Sequence, residues 1–235
     1  MTVDVNKPLG DLVTQNPNRA PIFDELKLDY CCNGHRTLSE AVSTAGLNLD
    51  EVVATLDATP APASSHESVG VPAENSALAH DIVDTHHAYM WQEMPRLAEL
   101  VDKVHRVHGE NHPELAKLKE LYTYAVSELD PHMTKEERIV FPAISKMEKG
   151  SPTGIKSFAA PIQELRDEHD EVGRVLKEMR DITNDYAVPE DACGSYRMML
   201  DGLETMERDL HSHIHKENNV LFPRVLELEQ QLAEG

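Results

Sequence analysis

Apolar positions recur every three or four residues along most of this chain, and strand-like alternation is scarce, so the pattern predicts an all-α fold. Four long stripes dominate. The first runs from about 75 to 108, with Leu78, Ile82, Met90, Met94, Leu97, Leu100, Val101 and Val104 on one side. The second runs from about 113 to 148, the third from 157 or 161 to 184, and the fourth from about 189 to 231. Pro95 inside the first stripe predicts a kink near 91–95, while Pro142 and Pro223 interrupt the second and fourth. Long helices joined by short connections favour an antiparallel four-helix bundle over residues 75–235. Ahead of it, residues 1–57 carry only short apolar stripes, broken at Asn16-Pro17 and Asn33-Gly34. They predict a small helical N-terminal domain that would bury little surface alone. Between the two, residues 58–74 (ATPAPASSHESVGVPAE) have no periodicity and predict a flexible linker.

The second and fourth stripes contain the same phrase. HMTKEERIVFP begins at His132 and HIHKENNVLFP at His213, an offset of 81 residues. In each, a His precedes a Glu by four residues, and Phe-Pro follows that Glu by five and six. Residues i and i+4 share a helix face, so His132 with Glu136, and His213 with Glu217, present an imidazole beside a carboxylate. The other two stripes each supply a His in matching register, His87 in IVDTHHAYM and His169 in LRDEHDEVG, 82 residues apart. Four His and two Glu then converge on the bundle core, a set that suits two metal ions with bridging carboxylates. Imidazole plus carboxylate favours iron, then manganese. An isolated His-x-x-x-Glu pair is usually a solvated surface pair worth a few tenths of a kcal/mol. Duplication of a purely structural helix pair would preserve Phe-Pro as packing, but not His and Glu on the core side. The ferritin-type Glu-x-x-His spacing occurs nowhere in the chain.

Among the remaining histidines, His86 lies 100° round the helix from His87 and is not expected at the centre. His211 and His215 are expected on the outer face of the fourth helix, and His108 is a candidate for reaching the site from the end of the first. Composition narrows the partners. A formal charge of −20, from 22 basic and 42 acidic residues, argues against nucleic-acid binding and against docking on anionic lipid. No apolar run reaches membrane-spanning length, and MTVDVNKPLGDLV has no secretory pattern, so a cytoplasmic protein, monomer or homodimer, is expected. Three cysteines make no disulfide framework. Cys31 and Cys32 are neighbours, and their Cα spacing of about 3.8 Å lies below the usual disulfide range of about 4.4–6.8 Å. They are better suited as soft ligands or redox partners, and Cys193 is expected to be structural.

The His-x-x-x-Glu pairs ending in Phe-Pro, with a lone His on each partner helix, resemble the hemerythrin-like fold. DYCCNG (29–34), with the LGDLVTQNPNRAPIFDELKL that precedes it, resembles the N-terminal domain of the repair-of-iron-centres (RIC) family, and SELDPHMTKEERIVFP, DEHDEVG and DLHSHIHKENNVLFP are similar to that family's strongest motifs. The resemblance covers about residues 8–225. It implies a non-haem di-iron protein of the cytoplasm that restores iron–sulfur clusters damaged by nitrosative or oxidative stress, by iron donation, nitric oxide reduction or both. Its partners would be damaged iron–sulfur proteins, with nitric oxide or dioxygen as small ligands. The implied cofactor is two iron ions with oxo and carboxylate bridges, and the implied ligands are His87, His132, Glu136, His169, His213 and Glu217. The resemblance also implies a channel-facing role for Glu168, directly before His169. Catalytic roles are thus expected at Glu168, Cys31 and Cys32, with nitric oxide reductase-like turnover left open. The alternative is a hemerythrin-type protein that binds or senses dioxygen or nitric oxide without turnover.

Overall fold

The computed structural model describes residues 3–60 and 72–234; most of the expected linker, residues 61–71, lies outside the described residues. The fold is all-α. Among the described residues the only β feature is an isolated antiparallel bridge between Pro8 and Thr37. The chain forms two compact units, residues 79–210 and residues 1–78 with 211–235.

In the unit of residues 79–210, the long helices are α6 (Ala88–His108), α7 (Glu114–Lys135) and α9 (Ala159–Ile182), with the first part of α10 (Gly194–Lys216). The shorter α8 (Phe141–Glu148) follows α7. All four long helices contribute to one core, with Met94, Leu97 and Val101 from α6, Leu118 and Ala125 from α7, Val175 and Met179 from α9, and Leu203 and Met206 from α10. Each face repeats at helical spacing, which is why burial selects helices here. Gly202 lets α10 approach α6 closely, since a Cβ there would meet Leu97.

The other unit holds α1 (Leu9–Gln15), α2 (Ala20–Glu25), α3 (Leu38–Ala45), α4 (Leu49–Ala58), the first half of α5 (Asn75–Ile82), the end of α10, and α11 (Phe222–Glu234). Thr37 and Glu40 form a reciprocal capping box at α3, and the Asn48 side chain caps α4. These caps satisfy the orphan amides of helices too short to persist without them. Leu9, Leu12, Phe23, Tyr30, Leu38, Val42 and Leu56 share a core with Ile214 of α10. That partner enlarges the small core the N-terminal stripes offer by themselves.

Among the described residues, three π-helical turns interrupt the long helices, at Val83–His87, Glu136–Val140 and Glu217–Leu221. The second and third explain the Phe-Pro suffix. The N–H of Phe141 reaches back five residues to the carbonyl of Glu136, and Phe222 does the same to Glu217. The next residue is proline, whose ring would collide with the carbonyl four positions back in a regular α-helix. Widening the turn relieves that clash, and Pro142 opens α8 in its first turn. Pro95 lies inside α6, and the departure from α geometry on that helix comes instead at Val83–His87, immediately before it.

Candidate metal centre

His87 is the last residue of the first π turn, Glu136 and Glu217 are the first residues of the other two, and π turns are frequent at functional positions. In the unit of residues 79–210 the structure brings His87, His132, Glu136 and His169 together. Oε2 of Glu136 lies 3.4 Å from Nε2 of His87 and 3.4 Å from Nε2 of His132. The Nε2 atoms of His132 and His169 face each other at 3.0 Å. His132, Glu136 and His169 offer ligand atoms within 4.8 Å of one another. Glu136 is 0 % exposed, and neither of its oxygens has a hydrogen-bond partner.

The outer nitrogens fix the proton positions. Nδ1 of His87 is 3.0 Å from Glu137, and Nδ1 of His132 is 2.7 Å from Glu168. A carboxylate only accepts, so both Nδ1 atoms carry a proton, and a ring that is neutral then turns an Nε2 lone pair towards Glu136. Two lone pairs and a carboxylate repel one another unless a cation or a proton lies among them. This arrangement fits a transition-metal ion held by imidazole nitrogens and carboxylate oxygen. In the other unit, Nε2 of His213 lies 3.0 Å from Oε1 of Glu217, both fully buried. These buried His and Glu side chains are positioned to hold a cation.

Comparison with known proteins agrees with the chemistry. Residues 78–225 match the hemerythrin HHE cation binding domain. Residues 5–59 match the ScdA_N family, described as a domain of unknown function (DUF542). The iron–sulfur cluster repair protein YtfE of Pectobacterium atrosepticum is 36% identical over 221 residues, covering 94% of this chain and 97% of that protein. YtfE of Yersinia pseudotuberculosis is 35% identical over 222 residues with the same coverage. The chain belongs to the YtfE family of iron–sulfur cluster repair proteins. No helix among the described residues is long and apolar enough to cross a membrane.

Within this YtfE-family chain the other expected residues fall as follows. Glu168 holds His132 through Oε2, while Oε1 accepts from Lys135 Nζ at 2.6 Å. The His132 hydrogen bond, opposed by burial and helped by Lys135, draws Glu168 down to about 2, so it stays ionised. Cys31 and Cys32 sit in a turn built on Asp29, whose Oδ1 accepts from the N–H groups of Cys31, Cys32 and Asn33. Burial works against the Asp29 charge, but the bonds from Asn33, Cys32 and Cys31 outweigh it and hold its pKa below the usual range. Neither cysteine is in a disulfide; Cys31 is buried and Cys32 half-buried, with Sγ atoms 3.9 Å apart. The bond to Cys32, burial and the Asp29 charge push the Cys31 thiol well up.

Three expectations are corrected. His211 and His215 do not lie on a solvent face. His211 Nδ1 pairs with Asp24 at 2.8 Å, and His215 is buried beside Thr14 and Tyr30. The N-terminal helices cover the surface that a bundle-only reading leaves open, and burial lowers His215 to about 4. His108 does not approach His87, because 21 residues of α-helix separate them by roughly 30 Å. Its Nε2 instead meets Cys193 Sγ at 3.2 Å. Cys193 is exposed rather than structural, and the Tyr196 backbone N–H, with His108, lowers its pKa. Iodoacetamide at neutral pH is therefore expected to label Cys193 first and Cys31 last, read by peptide mapping over time. Equal rates would show that the Asp29 turn does not shield Cys31.

Sequence reasoning missed Glu137, Trp91 and Asn219. Glu137 hides in the Glu-Glu pair of KEER, although a buried ligand histidine needs a partner for its second nitrogen, and that need could have found it. Asn219 Nδ2 donates to the carbonyls of Cys31 at 2.9 Å and Tyr30 at 3.2 Å, tying the Cys-Cys turn to the π turn that begins with Glu217. In the repeat, its counterpart is Arg138, so no symmetry pointed to it.

Proposed function

We propose that this chain repairs iron–sulfur clusters damaged by nitrosative or oxidative stress, using a non-haem di-iron centre held by His87, His132, Glu136, His169, His213 and Glu217. The observation that carries the reading is the Glu136 carboxylate, fully buried and without a hydrogen bond, facing the Nε2 atoms of His87 and His132. Two copies of the His-x-x-x-Glu-x-x-x-x-Phe-Pro phrase, each opening a π turn at its Glu, support extending the set to His213 and Glu217. Likeness to YtfE over 94% of this chain and 97% of that protein supports the function. The division into 1–57, 58–74 and 75–235 belongs to the same proposal.

Bound there, iron would supply one-electron redox chemistry and an affinity for nitric oxide and dioxygen. The protein's own part is positional. Glu137 and Glu168 hold the Nδ1 protons of His87 and His132 and keep both Nε2 lone pairs directed inward. Lys135 holds Glu168 in place and offsets its charge. Cys32, the more accessible thiol of its pair, serves as an accessory carrier, with Cys31 as its protonated neighbour. The protein acts in the cytoplasm, on damaged iron–sulfur proteins.

The test is reactivation. Iron-loaded protein is expected to restore activity to an iron–sulfur enzyme inactivated by nitric oxide, measured with and without a reductant. Failure both to restore it and to consume nitric oxide would sink the proposal. A reversible oxygenated spectrum in place of repair would move the chain to the hemerythrin-type binding reading.

A further inference from the structure

Trp91 is the chain's single tryptophan, and it stands 36 % exposed on α6, one turn beyond His87. Its placement has a specific partner. The indole Nε1–H donates to Oε1 of Glu137 at 2.9 Å, and the same oxygen accepts from His87 Nδ1 at 3.0 Å. One carboxylate oxygen thus receives two N–H groups from successive turns of one helix. The His87 ring is also stacked on Phe141, with centroids 5.9 Å apart and planes 23° apart. One nitrogen of His87 and one face of its ring are thus each held by a named neighbour. In the second copy of the repeat the residue after the Glu is Asn218, an amide in place of this carboxylate.

We propose that Glu137 is a positioning residue of the cation site: anchored by Trp91, it fixes His87 as the Nδ1–H tautomer and aims its Nε2 lone pair at the ion. The physical need is plain. A neutral imidazole exchanges its proton between two nitrogens, and the tautomer with Nε2–H cannot ligate through that atom. A carboxylate on Nδ1 stabilises the competent tautomer and makes the ligand nitrogen more basic. Trp91 acts through Glu137, by holding its carboxylate in one rotamer on an otherwise solvent-accessible edge.

The inference rests on His87 being an iron ligand, and the experiment separates the two. Ferrous iron affinity is measured anaerobically by chelator competition on the full chain, and histidine tautomers by 15N NMR on the metal-free chain. Glu137→Ala is expected to weaken iron binding about 10- to 100-fold and to lose the Nδ1–H preference at His87. Glu137→Gln keeps an acceptor oxygen and is expected to restore much of both, which a merely structural role would not predict. Trp91→Phe is expected to weaken binding less, and to add nothing in the Glu137→Ala background. An unchanged His87 tautomer in Glu137→Ala, or affinity within about twofold of wild type, overturns the inference. The His87→Ala control tells the failures apart. If it binds iron normally, the ligand reading falls and this inference with it; if it is impaired while Glu137→Ala is normal, only this inference falls.

Discussion

Glu136→Gln is expected to cost the protein most of its bound iron while leaving the metal-free form at least as stable as wild type. The two effects have opposite signs for one reason. The Glu136 carboxylate is fully buried, and neither oxygen has a hydrogen bond. Taking an ion out of water costs several kcal/mol unless it is well paired, so a neutral amide of the same shape relieves a penalty. In the loaded state that charge is what the cation binds, and the amide is a poorer ligand. Metal affinity for the native state is also folding stability. A 100-fold loss of affinity removes about 2.7 kcal/mol, or roughly 5–10 °C of thermal midpoint for a chain of this length. The measurement is a pair of melting curves, with and without ferrous iron, alongside iron content by elemental analysis. A variant that keeps its full iron, or that loses as much stability without metal as with it, would mean that Glu136 is a structural carboxylate. His132→Ala should lower iron content in the same way but without stabilising the metal-free form, because it removes packing and leaves Glu168 without one of its partners.

The candidate site was more legible in the sequence than the surroundings that hold it. His132 with Glu136, and His213 with Glu217, could be read because i,i+4 spacing on a helix is geometry, and because the repeat named the same positions twice. His87 was separable from its neighbour His86 by register alone, and the structure places His86 on Asp209 instead. What spacing does not encode is which side chain fills the second nitrogen of a histidine. Glu137 approaches His87 from another helix, 50 residues away, and no local pattern announces it. The π turns illustrate a partial signal. Phe-Pro marked an interruption, yet a kink, a break and a widened turn all satisfy a proline, and only the backbone distinguishes them. The misreading of His211 and His215 has a similar origin: a helix judged as part of a bundle shows an outer face, and Ile214 between them is core only because α1 to α4 pack there. Cys193 was misjudged because a cysteine's exposure depends on where the turn before its helix falls.

Gly34→Ala should be the most damaging single-methyl change in the N-terminal unit, and it should unmask Cys31. Asn219 is seated between two glycines. A Cβ on Gly34 would run into the Tyr30 carbonyl oxygen and Asn219 Oδ1, and a Cβ on Gly10 would lie 2.8 Å from Asn219 Cγ and Oδ1. The Gly10 N–H donates to the Gly34 carbonyl at 2.9 Å, which locks the two glycines together around that side chain. Backbone cannot step aside as a flexible side chain can, so overpacking here costs about 1–3 kcal/mol, with about 1 kcal/mol more for each Asn219 hydrogen bond displaced from the turn. The consequence is chemical as well as thermodynamic. The carbonyls Asn219 grips are those of Tyr30 and Cys31, so forcing it out frees the turn that buries the Cys31 thiol. Melting curves should fall by several degrees, and Cys31 should alkylate at a rate approaching that of Cys32. Gly10→Ala supplies the sharper arm, because the three atoms nearest its added Cβ all belong to Asn219. It should destabilise the wild type but cost little in an Asn219→Ala background, a coupling on the order of 1 kcal/mol in a double-mutant cycle. Additive effects, or a Gly34→Ala protein with a protected Cys31, would show that Asn219 does not clamp the cysteine turn.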